Sequence, residues 1–286
     1  MIYIILSILF FTGIFLVFKV SGKKNLPTIN IIVINYFIAA ILGNIQSQSN
    51  PIKAITSDWF YMAIIIGLLF FILFIIIGLS TKLVGLSITT VAGKMSVVIP
   101  IVFSIIYYNE SISYLKVLGI ILAIIGVLLT VYKKTTPNNK TKLSEFIVPL
   151  ILFLGMGLSD TLFKFSQAKY LTESSIPLFN SSLFYISFFS SFIYVLVLKK
   201  SKDFLNNQVL IYGLILGIVN YYGVYFFLKA LDSNIFDSSV IFGINNVSIV
   251  TLSVLTGIII FKEKVTKINI IGILNSIVAI AVLSIS

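Results

Sequence analysis

Two charged residues lie deep within apolar sequence, and they are the first candidates for chemistry. Lys94 is about eleven residues into the run 84–108, too far from either end for its ammonium to reach water easily. Asp160 is near the middle of the run 146–168. A charge at the centre of a bilayer costs about 2.5–3.5 kcal/mol on insertion scales, which makes such residues functional candidates by default. Lys164 follows Asp160 by four residues, so on a helix the two share a face and can pair. That possible ion pair, Asp160 with Lys164, reads either as a structural bridge sealed among helices or as a site for a proton or a substrate charge. Lys94 reads as a ligand for solute, with pairing to Asp160 or to backbone carbonyls as its alternative.

Polar residues in other runs could complete a pocket around them. They are Asn35 and Tyr36, then Thr89 and Thr90 before Lys94, then Asn220, Tyr221 and Tyr222, and finally Asn245 and Asn246. The substrate-binding set expected from these is Lys94, Asp160, Asn35, Tyr36, Thr90, Asn220, Tyr221 and Asn246. Amides and hydroxyls within lipid must find partners, so helix-to-helix hydrogen bonding is the competing reading for each of them. Glu110 and Glu263 fall at the ends of apolar runs, beside water, where a carboxylate complements a helix dipole; both read as structural.

The composition closes off other chemistries. There is no Cys and no His, which excludes disulfides, thiol catalysis and histidine metal sites, and no cofactor is expected. Gly93-Lys94 is not a phosphate loop, because the leading glycine and strand of that motif are missing. The net charge of +11 comes wholly from lysine, and the lysines stand in short loops between apolar runs. That placement reports membrane topology and not a phosphate-tracking face, so no nucleic acid is expected.

The elements that must position these residues are membrane helices. With 59% hydrophobic and 10% charged residues, long stretches are apolar all round. A spanning helix needs about 20 apolar residues. Ten such runs are expected, at 2–20, 28–46, 58–81, 84–108, 113–132, 146–168, 177–198, 208–231, 235–261 and 267–285. The N-terminus lacks a basic region and a cleavage site and reads as the first span. The loops after spans 1, 3, 5, 7 and 9 hold fourteen lysines, and the opposite loops hold five. Positive residues favour the cytoplasm, which puts both termini on the extracytoplasmic side.

The two halves resemble each other. Segment 9–24 matches 154–169 through Phe18/Phe163, Lys19/Lys164 and Ser21/Ser166. Pro27 and Asn30 match Pro177 and Asn180, KMSVV at 94–98 matches NVSIV at 246–250, and Glu110 and Gly119 match Glu263 and Gly272. Four matches in one order indicate an internal duplication. Five helices is an odd number, so the repeats 1–132 and 146–286, joined by a loop at 133–145, must be inverted relative to one another. Inverted repeats are a recurrent transporter plan with the substrate site between them.

These residues carry a family resemblance. Phe18-Lys19, Pro100, Glu110, Gly119 and Gly126, with Phe163-Lys164, Glu263 and Gly272 in the second half, resemble the EamA domain of the drug/metabolite transporter superfamily. The resemblance implies an all-α membrane protein of ten transmembrane helices in two inverted five-helix repeats. It further implies a central cavity, lined by span 4 with Lys94, and alternating access. The expected function is secondary transport of a small metabolite, such as an amino acid or related solute, with export as the expected direction. The expected partners are that solute and membrane lipid, the expected assembly a monomer, and the expected location a bacterial cytoplasmic membrane. TLFKFS at 161–166 is also similar to small multidrug-resistance proteins. Their membrane glutamate would fall at Met156 here, or at Phe11 in the first repeat, which counts against a multidrug or cation exporter. A membrane-embedded enzyme on lipid-linked substrates would need clustered His, Cys or Asp ligands, and the sequence offers one deep Asp.

Overall fold

A computed structural model describes residues 1–47, 51–107, 113–131, 143–172, 174–199, 204, 206–232 and 238–285. Among them all regular structure is helical: α1 (Ile2–Lys23), α2 (Thr28–Ser47), α3 (Phe60–Val84), α4 (Leu86–Met95), α5 (Val98–Tyr107), α6 (Tyr114–Val131), α7 (Leu143–Tyr170), α8 (Ile176–Val197), α9 (Asn207–Asp232), α10 (Ser238–Ile259) and α11 (Lys267–Ser284). A short 3-10 turn at Pro51–Ala54 precedes α3. Seven stretches among the described residues are long and apolar enough to cross a bilayer: Ile2–Lys23, Thr28–Ser47, Phe60–Val84, Leu86–Phe103, Leu143–Ser166, Ile176–Val197 and Asn207–Phe227. Val117–Thr130, Ile244–Ile259 and Lys267–Val282 are shorter apolar helices.

The run 84–108, read from sequence as one helix, is broken into α4 and α5 at Ser96–Val97. Pro100 has no N–H to give to the Ser96 carbonyl, which removes one rung of the ladder. The turn closes instead through Ile99 N–H to the Ser96 carbonyl at 2.9 Å and the Ser96 hydroxyl to the Gly93 carbonyl at 2.6 Å. The break leaves Lys94 in the last turn of a ten-residue helix.

α1, α2, α3, α7, α8 and α9, with Leu86 of α4 and Ile241 and Ile249 of α10, share one apolar core that includes Phe15, Phe18, Ile31, Leu73, Phe184 and Leu216. α4, α6, α10 and α11 share another around Val91, Ala123, Val250 and Ile280. A smaller cluster of Trp59, Ala63, Ile66, Phe179 and Leu183 joins α3 to α8. Apolar side chains also cover the outside: Ile121, Ile124 and Leu128 on α6, Ile151, Leu154 and Leu158 on α7, and Ile271, Leu274 and Val278 on α11 are all exposed. Water would penalise so continuous an apolar surface, and lipid would not.

Glycines set the closest helix approaches. A Cβ at Gly217 on α9 would lie 2.8 Å from the Asn35 carbonyl oxygen and 2.7 Å from Ile38 Cβ, both on α2. Gly67 on α3 meets Leu183 and Ile186 of α8 in the same manner, at 2.9 Å. Backbone cannot yield as a side-chain tip can, so Gly217→Ala should lower stability by about 1–3 kcal/mol through overpacking. Gly22→Ala, where a Cβ meets nothing within 4 Å, is the matched control. Thermal unfolding of the two variants in the same bilayer mimetic checks this, and equal midpoints would contradict it.

Glu263 corrects an expectation. It does not stand beside water at the start of its own helix; its side chain is 11% exposed and reaches the other half of the chain. Its carboxylate accepts from Leu86 N–H at 2.6 Å, Ser87 N–H at 3.1 Å and the Ser87 hydroxyl at 2.9 Å, and pairs with Lys19 Nζ at 2.5 Å. It therefore caps α4, while α11 starts with its own capping box from Thr266 and Asn269. Gly85 makes this possible twice over. Its φ of +94° suits only glycine, and a Cβ there would lie 2.7 Å from the carboxylate. Glu110, the sequence counterpart of Glu263, and residues 133–142 of the connecting loop lie outside the described residues.

Candidate functional site

The two deep charges come together across three helices. Lys94 ends α4, Asp160 is on α7, and Phe11 is on α1. The Lys94 ammonium stands over the Phe11 ring, 4.8 Å from its centroid. Asp160 faces Lys94 and Ser96, and among the described contacts Lys94 is its charge partner. Lys94 is half-buried and Asp160 is exposed.

Local structure explains why a lysine is tolerated there. α4 has a carboxylate at its positive end, Glu263, and an ammonium at its negative end, Lys94. Each complements the helix dipole, by about 0.3–1 kcal/mol when exposed and up to about 2 kcal/mol when partly buried. The cation–π contact with Phe11 adds about 0.5–2 kcal/mol. Thr12 and Ser159, each next in sequence to a member of the cluster, are buried and their hydroxyls have no hydrogen-bond partner. Buried orphan hydroxyls are costly, and a bound solute could use them.

The remaining candidates from the sequence take other places. The side-chain amides of Asn220 and Asn35 meet at 3.1 Å, joining α9 to α2. Tyr36 is fully buried and its hydroxyl donates to the Phe70 carbonyl at 2.6 Å. Thr90 bonds back to the Leu86 carbonyl at 2.9 Å, and Thr89 to the Gly85 carbonyl at 2.7 Å. Asn245 accepts from Ser7 at 2.9 Å, and Asn246 is buried on α10. Tyr221 donates to Gln46 and lines a separate cavity between α2, α8 and α9. Phe11, Thr12, Ser96 and Ser159 were absent from the sequence-based set. Phe11 was legible only as the place where a glutamate is missing.

Comparison with known proteins agrees with this architecture. A solved crystal structure superposes with a TM-score of 0.61 at 12% identity, over 98% of this chain and 94% of its own, so the two share a fold. An uncharacterized protein of Haemophilus influenzae is 26% identical over 294 residues, covering 97% of this chain and 95% of that protein. Residues 1–132 match the model of the EamA-like transporter family.

Proposed function

We propose that the chain is a secondary transporter that exports a small metabolite, such as an amino acid or related solute, by alternating access. Lys94 and Asp160 are its central solute-binding charges. The observation that carries this reading is the meeting of Lys94, Asp160 and Phe11 among α1, α4 and α7. A broken helix at membrane depth belongs where backbone lines a cavity, and α4 breaks two residues after Lys94. In this reading α4 and α5 form one span, and the ten spans make two inverted halves, 1–132 and 146–286. The glycine contacts support the inversion: Gly217 of α9 receives Asn35 and Ile38 of α2, as Gly67 of α3 receives Leu183 and Ile186 of α8.

Metabolite profiling of cells and medium, with and without the chain, tests the function. A solute that accumulates outside with the chain and inside without it identifies an exported substrate. No difference under any growth condition would overturn export. Orientation rests on the lysine asymmetry and is tested separately. The chain has no cysteine, so single cysteines at Asn138 and Ser286 can be labelled with an impermeant thiol reagent in intact cells. Position 286 should label and 138 should not; the reverse would invert the topology.

A further inference from the structure

We infer that the cavity between α2, α8 and α9 is a second binding site, for a small ligand that carries a protonated amine and an anionic group. It holds about 250 Å³ and lies where α2 and α9 end and α8 begins, at the Met1 end of α1. Neither Lys94 nor Asp160 lines it. Its inner wall is Phe184, Tyr221 and Asn180, each at least nine-tenths buried, and its mouth carries Gln46 and Lys229, both exposed.

The polar groups define the ligand. The Asn180 side-chain oxygen is buried and accepts no hydrogen bond in the structure. A buried acceptor without a donor is unfavourable, so the inner end calls for an N–H or O–H. Tyr221 and Tyr225 stack with centroids 6.2 Å apart and an interplanar angle of 11°, and with Phe184 they give the wall an aromatic surface that attracts a cation. An ammonium satisfies both features. At the mouth, Gln46 already accepts from Tyr221 and keeps its amide N–H groups for an anion, beside the Lys229 ammonium. Among the described residues no Asp or Glu lines the cavity to repel one. A purely apolar guest would leave Asn180 unpaired, and a simple anion would meet an acceptor at the inner end. Two sources offer the required chemistry, a free zwitterionic solute and the headgroup of an aminophospholipid.

The test uses the full chain with Val224→Cys as a reporter in the cavity wall, in nanodiscs of phosphatidylglycerol, which has no amine. The rate of modification by a small methanethiosulfonate reagent is measured with O-phosphoethanolamine or leucine, and with ethanolamine or inorganic phosphate as half-ligands. A zwitterion should slow modification, and each half-ligand should protect far less. Lys229→Gln and Asn180→Leu should each raise the protecting concentration by about tenfold, the loss expected for one charged or buried hydrogen bond. Slow modification in phosphatidylethanolamine nanodiscs without added solute would identify a lipid headgroup as occupant. Protection by soluble zwitterion alone would identify a free solute. Equal rates under all conditions would overturn the site, as would protection that survives Lys229→Gln, an exposed change that the fold tolerates. Lys94→Ala should leave protection intact, so failure here and failure of the Lys94 site are distinguishable.

Discussion

Lys94→Ala should reduce export about a hundredfold or more while the protein remains inserted and folded. Two losses combine in that variant. A solute anion loses its charged partner, worth about 1.5–3 kcal/mol for a charge-assisted hydrogen bond. Asp160 also loses the ammonium it faces and becomes an uncompensated charge within the membrane. The measurement is the ratio of exported solute in medium and cells, with protein level and thermal midpoint recorded in parallel. Lys94→Gln separates charge from hydrogen bonding: it keeps donors but cannot neutralise a carboxylate, and it should fail as well. The double change Lys94→Ala with Asp160→Asn separates the two losses. If Lys94 only neutralises Asp160, removing both charges restores transport. If Lys94 holds solute, the double variant folds and remains inactive. Normal transport by Lys94→Ala would move the site to the other polar side chains.

Much of this arrangement was legible because lipid makes charge conspicuous. Lys94 and Asp160 stood out against their runs without any structural help. The helix boundaries were legible for the same reason: apart from 84–108, each expected span falls on one helix to within three residues at either end. The break in 84–108 was written in Pro100, yet hydropathy does not register a missing N–H. Asn35 and Asn220 could be recognised as polar but not as each other's partner, since a pairing across 185 positions depends on how α2 and α9 cross. The misplacement of Glu263 has the same origin. Position at a span end reads as exposure in one dimension, whereas in three dimensions that end is roofed by Lys19 and the start of α4.

Glu263→Gln should therefore destabilise the protein by about 1–3 kcal/mol, the cost of removing a charged hydrogen-bond partner from a partly buried site. The glutamine keeps the shape and one acceptor oxygen, but its amide nitrogen is a donor. Lys19, Leu86 N–H, Ser87 N–H and the Ser87 hydroxyl are donors too, so at least one meets another donor. Lys19→Met should also destabilise, because the carboxylate stays buried without its cation, although it retains three hydrogen bonds. Combining the two should recover part of the loss, since no unpaired charge remains, but not all of it, since α4 still lacks its cap. Full recovery in the double variant would mean that the ion pair, and not the capping of α4, is what Glu263 provides. The pH dependence has a defined sign. Burial pushes the Glu263 carboxyl up, but the hydrogen bonds from Lys19, Leu86 and Ser87 and the Lys19 charge outweigh it and hold the group below its ordinary value. A depressed folded value means that the contribution is complete above the unfolded carboxylate range, near about 4.3, and is lost as pH falls through the lower folded value. The thermal midpoint of the wild type should thus fall on acidification below that range more steeply than that of Glu263→Gln, which has no carboxylate left to protonate. Parallel acid profiles for the two proteins would show that this carboxylate is not what fastens α1 and α4 to the segment between α10 and α11.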